Sequence, residues 1–292
     1  MQFRAAILLA AAALCGAPNV SFAADPPLLT KAPAQGCTQA VDGINGKVGG
    51  FGGSFGGQSY GGAEGSLSLP LGCEFGLQVD ASSADFDNRF LGSAAGHLFW
   101  RDPAKGLIGA YGDFVDWNQF GGVRAGHLGP EGAWYAGRFT AEGVAGVEFG
   151  NSQSGTVGAA IQTFSVPTRF FDEINLAYYP LDNLEVYAGH RLIGGSNALA
   201  LGGEWGIPMS HGIMTALFVE GRAGQGQYRG VWGGLRVYFG KSDKSLIRRH
   251  REDDPNSWSD GPASVFNTQS SAGGVTCPPH SHPDGHGGCI GL

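Results

Sequence analysis

Apolar and polar residues alternate along most of the chain. Phe139–Gly150 is the cleanest stretch: Phe139, Ala141, Gly143, Ala145, Val147 and Phe149 oppose Thr140, Glu142, Val144, Gly146 and Glu148. A period of two is that of a β-strand, whose successive side chains point to opposite faces. Tyr228–Phe239 repeats the pattern, with Val231, Gly233, Leu235, Val237 and Phe239 against Trp232, Gly234, Arg236 and Tyr238. Comparable stretches are Asp42–Phe55, Gly62–Leu71, Cys73–Ala81, Phe90–Trp100, Gly106–Asp113 and Phe120–Tyr135. Further on come Arg169–Tyr179, Leu184–Leu192, Ala198–Trp205 and Ile213–Ala223. Together they predict about twelve strands, an even number as a closed antiparallel barrel requires. Turn chemistry separates them at Arg101–Lys105, Pro180–Asn183 and Gly194–Asn197. Gly129-Pro130 predicts a bulge or break in the sixth strand, and Asn151–Thr168 is the longest connection.

Composition narrows the class. Only 15% of the 292 residues are charged, against about 25% in soluble domains, while 11% are aromatic and 52 are Gly. No run of 18 or more apolar residues follows the N-terminal stretch, so helical membrane spans are excluded. Alternation without long apolar runs fits an all-β, antiparallel transmembrane β-barrel over residues 41–240. Trp100, Tyr135, Tyr179, Trp205 and Tyr238 fall at alternate strand ends, the expected place of an aromatic girdle. The net charge of -7 argues against nucleic acid as a partner.

The ends read differently. Arg4, the apolar Ala5–Leu14 and Phe22-Ala23-Ala24 form a signal-peptide pattern over residues 1–24, so export is expected. Residues 25–40 read as a periplasmic lead-in, and residues 241–292, rich in charge and then in Ser, Gly, Pro and His, as a disordered periplasmic tail.

The strand faces assign a lumen. Glu64, Asp80, Glu142, Glu148, Glu185, Glu204 and Glu220 are expected to point inward with Lys47, Arg124, Arg191, Arg222 and Arg236. Such charges either fill the lumen as an ion-pair network or line a narrow channel, and the small barrel favours the filled reading. Four cysteines remain after export, which allow three pairings; Cys37–Cys73 and Cys277–Cys289 are expected. The tail's His280, His282 and His286 sit between Cys277 and Cys289. Oxidised cysteines are not thiolate ligands, so a disulfide-closed loop is the preferred reading and no metal or cofactor is assigned. Among catalytic arrangements only His190 with Ser196 stands out, and no catalytic motif is present.

Gly234-x-x-Val237-x-Phe239 resembles the closing-strand signal of bacterial outer-membrane barrels. Phe99–Gly106 and Lys244–Pro255 are similar to segments of Gly-rich, porin-like outer-membrane barrels of α-proteobacteria. The resemblance implies residence in the Gram-negative outer membrane, contact with its lipid, and handling by the barrel-assembly machinery. It brings no catalytic residues. The expected role is structural or passive passage of small solutes; the alternatives are a membrane-embedded lipid hydrolase using His190 and a secreted Gly-rich β adhesin. Monomer and trimer are equally compatible with the sequence.

Overall fold

The computed structural model describes residues 38–157, 160–272, 281–283 and 289–291. The signal-peptide pattern, most of the lead-in, and Cys37 and Cys277 lie outside these residues.

The strands are β1 (Asn45–Phe55), β2 (Gln58–Leu71), β3 (Phe75–Phe86), β4 (Arg89–Asp102), β5 (Gly106–Trp117), β6 (Val123–Ala136) and β7 (Phe139–Gly150). A hairpin of β8 (Ser152–Val157) and β9 (Ala160–Ser165) fills the long connection. The wall then continues through β10 (Arg169–Leu181), β11 (Leu184–Ile193), β12 (Ser196–Pro208), β13 (Ile213–Gly224) and β14 (Arg229–Phe239). Twelve of these strands form one closed barrel, each pairing with its neighbour, and β14 closes on β1. All the barrel pairs are antiparallel, and the closing register runs from Gly46↔Phe239 to Phe55↔Gly230. Closure leaves no strand edge exposed in the wall.

Local chemistry explains the seams. The β1–β2 and β11–β12 turns carry paired glycines with positive φ, Gly56-Gly57 and Gly194-Gly195, and the β3–β4 turn uses Asp87-Asn88. At the closing seam Gly234 faces Phe51, and a Cβ there would lie 2.0 Å from the Gly50 carbonyl oxygen. Gly234, Val237 and Phe239 thus do sit on the strand that shuts the barrel. Gly129-Pro130 makes neither a bulge nor a break. Leu128↔Val147 and Glu131↔Val144 keep one register on the β7 side, and Pro130 pairs in step with Ala110 on the other. Proline removes a donor without shifting the strand.

One end of the barrel holds the turns β2–β3, β4–β5, β6–β7, β10–β11 and β12–β13 and the start of β1; it is the near end. The far end carries the β8–β9 hairpin. Val79, Leu98, Leu128, Ile174, Leu201, Val219 and Val231 are exposed on the outer face of the wall. The aromatic girdle needs correcting. Tyr135, Tyr179 and Tyr238 are buried inside the near end, while Trp205 faces outward. The outward ring is made by Phe75, Trp134, Phe139, Tyr178, Trp205 and Phe239; Trp134, Tyr178 and Phe239 each lie one position from an expected residue. A shift of one residue in a strand moves a side chain to the other face.

The expectation of a disordered tail does not hold for residues 241–272. Two helices, α1 (Leu246–Glu252) and α2 (Gly261–Phe266), and strand β15 (Gln269–Ala272) follow, and β15 pairs with β9. Short strands β16 (Ser281–Pro283) and β17 (Cys289–Gly291) pair with each other. The buried core of the molecule lies where the tail meets the inner wall.

Candidate functional site: the lumen and its plug

The tail runs the length of the lumen, and each level of the wall supplies it with different partners. At the near end, the first turn of α1 is held by the β10–β11 turn: Ile247 N–H donates to the Asp182 carbonyl (3.0 Å) and Leu246 N–H to Asn183 Oδ1 (3.0 Å). Leu246 packs on Met214, Ala216 and Tyr238. Arg249 donates to the Gly212 carbonyl, and Arg251 to the carbonyls of Gly137 and Phe139. These contacts satisfy turn carbonyls that the strand ladder leaves unpaired.

His250 sits between two tyrosines. Its Nδ1 lies 2.9 Å from the Tyr179 hydroxyl and its Nε2 3.4 Å from that of Tyr238. Those hydroxyls donate in turn to Glu185 and Glu204. Burial alone would lower the imidazole's pKa, but the Glu185 carboxylate and further acidic neighbours outweigh it and push it up to about 9. His250 is therefore a cation at neutral pH, with both ring nitrogens donating.

Midway, the chain is extended. Lys47 Nζ lies 2.6 Å from Asp254 Oδ2, with both side chains buried. Gln78 donates to the Pro255 carbonyl, Asn256 to Glu142, and Ser66 meets Ser257. Trp258 packs against Ala95, Tyr111, Val144 and Phe171. Near the far end, Asp260 pairs with Arg222 (3.4 Å) and accepts from the Tyr228 hydroxyl (3.0 Å). There α2 buries Ala263, Val265 and Phe266 among Phe55, Phe86, Trp117 and Phe164. Gly56 is required at this contact: its φ is +60°, and a Cβ would lie 2.3 Å from the Phe266 ring.

The wall carries its own network. Arg236 bridges Glu64 and Glu204, each at 2.6 Å. His97 lies between Asp80 (2.9 Å) and Glu131 (2.8 Å), and His127 between Asp113 (2.7 Å) and Glu148 (3.2 Å). Arg191 meets Glu173 at 3.1 Å, and Glu148 also meets Arg169. Between plug and wall remains a cavity volume of about 140 Å³. At one probe sphere per water, that is room for on the order of ten waters.

The predicted lumen charges largely converge. Lys47, Glu64, Asp80, Glu142, Glu148, Glu185, Arg191, Glu204, Glu220, Arg222 and Arg236 all take part in inner-wall contacts. Arg124 does not. It is exposed on the outer face at the far end, 3.4 Å from Asp116, because the inward positions at the start of this strand are Val123, Ala125 and His127. His97, His127, Asp113, Glu131 and Glu173 were missed, although each shares the parity of an inward neighbour. Asp254, Trp258, Asp260 and Phe266 carried no periodic signal at all.

The cysteine and histidine expectations meet the structure unevenly. Cys73 lies at the β2–β3 turn with its sulfur 3.9 Å from the carbonyl oxygen of Thr38, the residue after Cys37. Cys289 opposes Pro283 in the β16–β17 pair. No group of three or more acidic, His or Cys residues arranged to hold a metal occurs among the described residues. His190 is exposed on the outer face, with Nδ1 2.7 Å from Asp172 Oδ1 and Nε2 3.1 Å from Asn197 Oδ1. Neither ring nitrogen meets a serine hydroxyl, so the His190/Ser196 pairing does not form.

No family model and no curated protein matches the sequence. Solved structures do. The fold is similar over 78% of this chain, and 99% of the other, to a barrel from work on the in-meso crystallization of membrane proteins, at 11% identity and a TM-score of 0.52. More distant similarity, at 12% identity, extends over 68% of the chain to two autotransporter domains. One is the translocator domain of NalP from Neisseria meningitidis (87% of that chain, TM-score 0.44), the other the β domain of BrkA from Bordetella (98%, 0.39). The class defined by the wall is a closed, twelve-stranded antiparallel β-barrel.

Proposed function

We propose that this chain is an outer-membrane barrel sealed by its own C-terminal segment, which is carried through the lumen and brought out at the far end. The observation that carries the reading is the unbroken path from α1 at one mouth, past Asp254 and Asp260, to β15 paired with β9 at the other. Short turns occur at both ends, but the one long connection, which holds the β8–β9 hairpin, is at the far end, as expected of a surface loop. The near end is then periplasmic, and β15, paired with β9, lies at the cell-surface end. The role is structural, a stoppered wall that holds and presents its own segment, and not a porin's open passage or a hydrolase's catalysis.

Two measurements test this. In planar bilayers the full-length protein should give no large steady conductance steps, while Phe266→Ala combined with Arg222→Ala should give flickering openings. An epitope placed after Leu292 should be reached by antibody and protease on intact cells. Large steps from the unaltered protein, or an epitope reached only after the outer membrane is opened, would remove the reading.

A further inference from the structure

The far end holds a recess unlike the rest of the lumen. Gln58, Gln119, Gln162, Gln227 and Gln269 converge on it from five separate segments of the chain. They stand at the start of β2, after β5, on β9, between β13 and β14, and on β15. Beneath it Trp117, Phe164 and Phe266 pack against one another, almost fully buried, so the accessible lining is mainly polar. The recess has a cavity volume of about 140 Å³. That is smaller than a drug-sized site of roughly 300–1,000 Å³, so it suits one small unit.

Its chemistry is selective. Every level below is filled with paired charges, whereas the recess has one carboxylate, Asp87, and no Lys, Arg or His in its lining. An anion finds no cation there, and a cation finds a single carboxylate. Carboxamides donate and accept at the same time, which suits groups that also do both. Gln119 is 5% exposed, and its Oε1 is buried with no hydrogen-bond partner in the protein. A buried acceptor of this kind requires a donor from elsewhere. Among the described residues, no hydrogen bond occupies the amides of Gln58, Gln162, Gln227 or Gln269 either.

The geometry points to a binding site for a neutral saccharide unit: hydroxyl-rich, uncharged, with its hydroxyls shared among the five amides. Because Phe266 and Gln269 belong to the plug, the site is complete only while the plug is seated. The inference goes beyond the proposed role and needs neither a membrane nor a surface location.

The test uses the full chain in a detergent without a sugar headgroup, titrated calorimetrically with glucose, galactose, N-acetylglucosamine and their disaccharides. At least one should bind saturably. Gln119→Leu should weaken it about ten-fold, as loss of one or two good hydrogen bonds does. Gln227→Leu, on a surface connection, should weaken it with the barrel intact by heat-modifiable migration. Bound sugar should also slow amide exchange in residues 269–272, a readout a mere surface contact would not give. The proposal is overturned if no sugar of the panel binds, if both variants bind as the parent does, or if inorganic phosphate or Ca²⁺ competes at the site.

Discussion

At the residue scale, the plug is held by buried ion pairs. Lys47 and Asp254 face each other across the lumen, and each is buried. Removing one partner leaves the other stranded, which costs about 3–5 kcal/mol, whereas replacing both by apolar residues is close to neutral. Lys47→Met should therefore loosen residues 253–260, seen as faster amide exchange, and Lys47→Met with Asp254→Leu should largely restore protection. Equal loosening in both variants would show that the pair does not hold the segment. His250 makes a second, pH-dependent hold. Glu185, Glu204, Asp254 and the hydroxyls of Tyr179 and Tyr238 face it. Its folded-state pKa of about 9 lies above the ordinary 6.5, so its contribution is fully present below about 6.5 and is lost as pH rises through about 9. Proteolysis of the 244–253 segment should accelerate between pH 7 and 10 in the parent. His250→Gln should show less of that rise and a faster rate already at neutral pH. A parallel pH profile for the two proteins would exclude the imidazole as the cause.

At the scale of elements, α2 is the far-end stopper, and Phe266 is its largest anchor, packed edge-on to Phe86 at a centroid distance of 5.2 Å. Phe266→Ala should weaken plug docking by about 3–5 kcal/mol. Urea should then expose β15 at a lower concentration than the wall, while heat-modifiable migration of the barrel persists. A single shared transition would mean that plug and wall fold as one unit. The near end invites a covalent counterpart. Ala40 N–H donates to the Cys73 carbonyl at 2.8 Å, so the segment after Cys37 runs beside the β2–β3 turn. Peptide mapping without reductant should recover Cys37 joined to Cys73; Cys73 joined to a tail cysteine would refute the pairing. The same elements show what a sequence can disclose. Phe139–Gly150 was legible to the residue because a wall strand faces lipid-like and polar surroundings by turns, and that contrast is written as a period of two. The plug was not legible. Residues 253–260 are extended, surrounded by wall on every side, and matched level by level to distant partners, so neither a helical nor a strand period marks them. Arg124 failed for a smaller reason: at a strand end, one residue of register decides the face.

At the scale of the whole molecule, the barrel inverts the usual arrangement, with ion pairs at the centre and apolar side chains on the outside. Val79, Leu98, Leu128, Ile174, Leu201, Val219 and Val231 are all about half exposed or more, on strands spread around the wall. In water such a continuous belt would be an association surface, since soluble monomers rarely expose apolar patches beyond a few hundred Å². In hydrocarbon it is the expected face of an outer-membrane wall. Val219 discriminates the two environments. It lies mid-way along β13, opposite Gly203 and Gly233 on the flanking strands, with its side chain 54% exposed. If it faces water, Val219→Arg is a surface change worth no more than about 0.5 kcal/mol. If it faces the bilayer midplane, the same change costs about 2–4 kcal/mol. Urea titrations of folding into phosphatidylcholine vesicles should show the larger cost, and Ser54→Arg, at the far-end tip of β1 beside the β1–β2 turn, should show much less. Equal, small effects at both positions would mean that the belt is not lipid-facing, and the orientation of the plug relative to a cell surface would lose its basis.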